Sequence, residues 1–152
     1  PRSLDLALSE QRYIADHWHS IATIRELLRT EPNVRFAMLV GSFAAGTDSS
    51  ASDIDVVVEM TDESFERSNA LERKLEAELE RDVDLIAMHQ ATRDPALFAN
   101  FLDGARVLVD RDGTWTRLQD DAPRIQMRGK RHMAKLRKSA FEAAEAFLQD
   151  AA

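Results

Sequence analysis

Three aspartates carry the chemistry in this sequence. Asp53 and Asp55 stand one residue apart in "SDIDVVVEM", and Asp84 sits inside "DVDLIAM". Along an extended strand successive side chains alternate faces. Asp53 and Asp55 therefore point the same way, while Ile54, Val56 and Val58 turn to the other face and can pack on helices. Two close carboxylates in a poorly solvated place repel, so one takes up a proton or a cation sits between them. A hard divalent cation with oxygen ligands, such as Mg2+, meets the second condition. A carboxylate flanked by Val83, Leu85 and Ile86 is also costly unless it is paired or bound to metal, so Asp84 obeys the same logic. If its strand pairs beside that of Asp53 and Asp55, the three acids meet. Three oxygen ligands on neighbouring strands make a site for two-metal phosphoryl transfer. Plainer readings stand beside this one. An Asp-x-Asp at a strand start is often a solvated edge, and Asp84 alone could pair with Arg81 or Arg106.

The stretch ahead of the aspartates, "GSFAAGT" (Gly41–Thr47), ends an apolar run with small residues. Such residues let backbone N–H groups come close to a phosphate. Its Gly-x4-Gly spacing is that of a P-loop, but a P-loop continues with Lys and then Ser or Thr. Here Thr47 and Asp48 follow Gly46, which excludes that motif.

Hydrophobic patterning gives the elements that must position these residues. Ser9–Arg29 reads as an amphipathic helix, with Ile14, Trp18, Ile21, Ile24 and Leu28 at helical spacing and Pro32 beyond its end. Val34–Val40 and Asp53–Met60 are strands. Glu63–Arg81 is a second helix with Phe65, Leu71, Leu75 and Leu79 on one side and an outer face crowded with Glu, Arg and Lys. Asp82–Met88 is a third strand, Pro95–Leu102 a short helix, Arg106–Asp110 a fourth strand and Arg111–Gly113 a turn. Pro123 opens a last long helix. The expected fold class is α/β: a mixed sheet with helices against it and a helical C-terminal extension. Residues 1–122 form the domain, and residues 123–152 form a helix that packs on it or on a partner.

Bulk properties narrow the classes. The 152 residues suffice for one domain with a real core, and the composition (44% hydrophobic, 31% charged) is globular. No cysteine is present, which excludes disulfides, thiolate metal sites and cysteine nucleophiles and fits a reducing cytoplasm. No apolar run approaches a bilayer span, and the first residues lack a signal-peptide pattern. Net charge is −7, yet residues 124–152 hold seven Lys and Arg against three Asp and Glu, so the body is at −11. An acidic body argues against general nucleic-acid binding. The run "RGKRHMAKLRK" (Arg128–Lys138) is a solvated helix face, or else it serves phosphates or an acidic partner. His17 and His19 are two apart on a helix and share no face. His89 follows the Asp84 strand and is a pocket-lining candidate, His132 lies in the basic helix, and Trp18 and Trp115 suit core or interface.

Taken together, Gly41, Ser42, Gly46, Ser52, Asp53, Asp55 and the later Asp84 resemble the pattern of the DNA polymerase β-like nucleotidyltransferase superfamily. The sequence most resembles its small bacterial branch, the minimal nucleotidyltransferases. The likeness covers roughly Phe36 to Met88, with a looser echo at Val107–Gly113. It implies a mixed sheet bearing three carboxylates, two Mg2+ ions and a nucleoside triphosphate, ATP above all. Gly41, Ser42, Gly46 and Ser52 would lie on the nucleotide side, with Ser42 and nearby amides on the triphosphate. Asp53 and Asp55 would hold metal to triphosphate and acceptor. Asp84 would take the second metal and help deprotonate an acceptor hydroxyl. The products would be a nucleotidylated small molecule or protein, and pyrophosphate. Minimal members often pair with a helical ribonuclease-type toxin, so the resemblance also implies a partner protein, with a second copy of the chain as the alternative. Many members carry an arginine where Ala45 stands. A replacement cation is expected from Arg124–Lys138 or from a partner.

Overall fold

Valine-rich and aliphatic runs supply the centre of the fold. A computed structural model of the chain describes residues 2–47 and 53–151. In chain order the elements are α1 (Arg2–Arg29), β1 (Val34–Val40), α2 (Gly41–Ala45), β2 (Ile54–Met60), α3 (Phe65–Leu79), β3 (Val83–Ala87), α4 (Met88–Ala91), α5 (Pro95–Leu102), β4 (Arg106–Asp110) and α6 (Thr114–Asp150). One four-stranded sheet runs in the order β3-β2-β1-β4. β1 is antiparallel to both β2 and β4, and β2 is parallel to β3. A parallel pair needs a crossover. The charged helix α3 supplies it, its first turn capped by the Ser64 hydroxyl accepting from the Arg67 N–H. No helix among the described residues is long and apolar enough to cross a membrane.

The two faces of the sheet are buried differently. On one, Ala37, Leu39, Ile54, Val56 and Val58 pack against Ile24 and Leu28 of α1 and Leu71 and Leu75 of α3. On the other, Phe36, Met38, Val40 and Val57 meet Ala91 and Phe98, with Trp115, Leu118 and Ile125 of α6 closing the edge. Ile54, Val56 and Val58 thus sit on the helix-packed face away from Asp55, as strand alternation requires.

Several expectations are corrected. The buried edge of α1 is His17, Ile21, Ile24 and Leu28, whereas Ile14 and Trp18 remain about half exposed at 53% and 52%. Phe65 opens α3 at 81% exposure and takes no part in the core. The last helix starts at Thr114, not at Pro123, which lies inside it. The Asp110 carboxylate accepts from the N–H groups of Thr114 (3.0 Å) and Trp115 (3.1 Å), satisfying donors that a helix start leaves open. Trp115 and Leu118 before Pro123 and Ile125 after it join one cluster, so packing on both sides of the proline outweighs the lost bond to the Gln119 carbonyl. Asp110→Ala should lower folding stability by about 1–2 kcal/mol in a urea melt, with Asp110→Asn closer to the parent.

Candidate functional site

Strand register brings two of the three aspartates side by side. Val40 of β1 pairs with Asp55 of β2, and Asp55 pairs with Asp84 of β3. Paired residues share a face, so Asp55 and Asp84 project together from neighbouring parallel strands. Asp53 lies just ahead of β2, exposed at its threshold. Asp84 is also exposed, and Asp55 is half-buried between its neighbours. Burial holds the Asp55 carboxyl above its ordinary range, and the charges of Asp84 and Asp53 push it further the same way. Among the described residues no three acidic or histidine side chains form a closed metal cage. The donor set still fits hard divalent cations: all oxygen, all carboxylate, with the middle member desolvated.

The glycine turn abuts this pair. Gly41 has φ +74°, a left-handed conformation, and a Cβ built there would lie 2.8 Å from Asp55 Oδ2. Both the backbone angle and the approach demand glycine. The short turn α2 follows and closes on Gly46 at φ +73°. The Thr47 N–H returns to the Ser42 carbonyl at 3.0 Å and the Gly46 N–H to the Phe43 carbonyl at 3.2 Å. Phe43 and Ala44 are buried and anchor the turn, while Ser42 faces solvent at its start. Ser52, expected beside the aspartates, lies outside the described residues.

Two arginines converge on the turn from outside it. Arg106 Nε donates to the Ala44 carbonyl at 3.0 Å, and its guanidinium lies 5.1 Å from the centre of the Trp18 ring. The Arg81 guanidinium lies over Phe43 at 5.0 Å. The basic segment of α6 has its contacts with α5 instead. Gln126 donates to the Ala99 carbonyl, Gly129 fits tightly against Ala99, and His132 faces Asp94 at 3.9 Å. The cations flanking the turn therefore come from the N-terminal edges of β3 and β4, and Arg106 is spent on the turn rather than on Asp84.

The remaining candidates fall elsewhere. His89 Nδ1 lies 3.1 Å from Glu63 beyond the far ends of β2 and β3, and so does not line the aspartate site. His17 is buried against Phe43, ring centres 4.5 Å apart, with Tyr13 stacked on its other neighbour side at 5.7 Å. Glu72 of α3 was not singled out by the sequence. Its carboxyl is raised by burial, by Glu76 and by Asp84, so the acidic field reaches α3. A carboxylate on an already charged helix gave no pattern to find it by. A groove of about 630 Å3 between α5 and α6, bordered by Leu97, Asn100, Asp103, Met133, Leu136 and Arg137, is a separate feature from the carboxylates.

Comparison with known proteins decides the family. The model of the family described as "Polymerase beta, Nucleotidyltransferase" matches residues 22–114, which span β1 through β4 and every aspartate of the site. The chain belongs to the polymerase β nucleotidyltransferase family. Solved structures share this nucleotidyltransferase fold. A chain of a toxin–antitoxin crystallised with AMP-PNP superposes with TM-score 0.55 at 23% identity, covering 84% of this chain and 98% of that one. A chain of the tri-AMPylated Shewanella oneidensis HEPN toxin in complex with MNT antitoxin gives 0.53 at 20%, covering 87% and 98%. A chain of the MntA-HepT toxin–antitoxin gives 0.51 at 20%, covering 86% and 98%. No curated protein matches the sequence at a significant level.

For Asp55 the linkage has a definite sign. Asp55 holds its proton more tightly folded than unfolded, so its contribution to stability is full below its ordinary value of 3.8 and is lost as pH rises through the raised value. Without added cation, Asp55→Asn should remove that decline in a pH series of thermal melts. Gly41→Ala should destabilise by at least about 1–2 kcal/mol from the left-handed φ alone, read by denaturant titration.

Proposed function

We propose that this nucleotidyltransferase moves AMP from ATP, with Mg2+, onto a hydroxyl of a partner protein, in a cytoplasmic setting that the cysteine-free sequence suits. The observation that carries the chemistry is the Asp55–Asp84 register with Gly41 pressed against Asp55. Carboxylates brought together without a countercharge are costly in the resting protein, and that cost is repaid when cations bind. Asp53, Asp55 and Asp84 would hold the two ions. When bound, Mg2+ supplies charge neutralisation of the triphosphate and lowers the pKa of the attacking hydroxyl.

The protein's own residues do the rest. The Gly41–Gly46 turn offers backbone N–H groups and the exposed Ser42 hydroxyl to the phosphates, with Ser52 assigned to the same side. Asp84, the exposed member of the pair, accepts the proton of the acceptor hydroxyl. The acceptor oxygen bonds to the α-phosphorus, the bond to the bridging oxygen breaks, and pyrophosphate leaves. Positioning and electrostatics dominate such a transfer, and both are built into the strand register.

A protein acceptor is favoured over a small molecule by two observations. The structures sharing the fold include a toxin–antitoxin pair whose toxin is AMPylated. Within the chain, the later part of α6 leaves Met133, Leu136, Phe141, Phe147 and Leu148 exposed along a helix about 55 Å long in all, a surface suited to a helical partner. On this reading residues 1–122 are the transfer unit, the helix over 123–152 packs on α5 through Gln126 and Gly129 and turns its exposed later part to the partner, and the chain acts as an antitoxin by modifying that partner.

Incubation with labelled ATP, Mg2+ and the product of a neighbouring toxin-like gene should label that protein. Asp53→Ala/Asp55→Ala should lower labelling by about three orders of magnitude or more, as loss of a metal-borne transition state does. Labelling that survives the double substitution contradicts the transfer mechanism. Neutralisation of the partner by the unlabelling variant would show binding alone to be the antitoxin activity.

A further inference from the structure

The turn that begins at Gly41 cannot hold its own shape. It has five helical residues, the first of them Gly41 at left-handed φ, the left-handed Gly46 after the last, and return bonds from Gly46 and Thr47. One isolated helical turn is far below the length at which a helix is stable. Its conformation must be imposed from outside, and the imposing contacts are specific. Phe43 is the buried peg, packed by His17 and overlain by Arg81. The Tyr13 hydroxyl donates to the Gly46 carbonyl at 3.4 Å. Arg106, 62 residues away in sequence, donates from Nε to the Ala44 carbonyl at 3.0 Å.

Arg106 differs from the peg because it is exposed. Its guanidinium lies over the ring of Trp18, itself half exposed, so neither residue is core. A planar cation that stacks on an indole and at the same time donates from its edge uses two properties that only arginine combines. The chain Trp18–Arg106–Ala44 ends on the same turn whose first residue has no room for a Cβ beside the Asp55 carboxylate.

We propose that Arg106, seated on Trp18, is a positioning residue of the nucleotide site. It fixes the Gly41–Ala45 turn from β4 and so sets the affinity for the triphosphate without touching the core. Ala45, exposed within the turn, brings no cation of its own, and Arg106 brings one to the adjacent carbonyl. The inference rests on the reading of this turn as the phosphate side of the site.

The test is binding of AMP-PNP with Mg2+ by calorimetry, alongside thermal melts, for the parent, R106Q, R106K, W18L and W18L/R106Q. R106Q should weaken binding roughly tenfold, the range for a charged group's hydrogen bond, with its melting temperature unchanged. R106K should fall between, because an ammonium cannot stack flat and donate at once. W18L should weaken binding in the same direction, and the double variant should be no worse than R106Q. In turnover, R106Q should raise KM for ATP and leave kcat near the parent value. Parent-like binding by R106Q overturns the inference, as does a double variant in which the two losses simply add. A loss of affinity in every variant that follows a loss of thermal stability also overturns it. A parent that binds no AMP-PNP overturns the nucleotide reading and this inference together, whereas a binding parent with an indifferent R106Q overturns the inference alone.

Discussion

Asp55 and Asp84 face one another across a parallel strand pair, and the sheet gives them no way apart. Their separation is set by backbone hydrogen bonding between β2 and β3, and their shared face by the two-residue period of a strand. Like charges placed opposite in a sheet destabilise it. The fold tolerates this because the same strands bury Ile54, Val56, Val58 and Val83 on the other face, and β2 is the neighbour of β1, buried throughout except at Arg35. Apolar packing on that face, and of Phe36, Met38, Val40 and Val57 on the face of the aspartates, holds the register that the paired charges would otherwise loosen.

The turn between β1 and β2 depends on that same register. Val40 pairs with Asp55, so the chain leaves β1 directly beside the carboxylate, and only a residue without Cβ can make the exit. The turn is then pinned by groups from three distant elements: Tyr13 and His17 on α1, Arg81 ahead of β3 and Arg106 on β4. α1 thereby does two jobs. Its Ile24 and Leu28 end builds the core, and its Tyr13–Trp18 end backs the turn.

Much of this was legible in the sequence, and the reason is the strength of particular signals. Val34–Val40, Pro95–Leu102 and Arg106–Asp110 emerge with the bounds read from their apolar runs and turn residues. The alternation of Asp55 with Ile54, Val56 and Val58 foretold the opposite faces that they take, while Asp53 stands ahead of the strand. The adjacency of Asp84 followed from one assumption about strand pairing, which the register bears out. What failed to show was long-range. Asp110 caps α6 from outside the helix, so Pro123 looked like the start. Ile14 and Trp18 fit a helical stripe, yet the stripe that meets the sheet is rotated to His17, Ile21, Ile24 and Leu28. Arg106 reaches Ala44 across 62 residues, a contact for which no local pattern exists.

The central claim is that the Asp55–Asp84 pair is an electrostatic cost built for divalent cations. Thermal unfolding of the parent and of Asp84→Asn, each with and without Mg2+, tests it most directly. The claim predicts that Mg2+ raises the melting temperature of the parent, since a ligand that binds only the folded state stabilises it. It also predicts that Asp84→Asn melts higher than the parent without Mg2+ and gains little when Mg2+ is added. A parent indifferent to Mg2+, or an equal rise in Asp84→Asn, would contradict it.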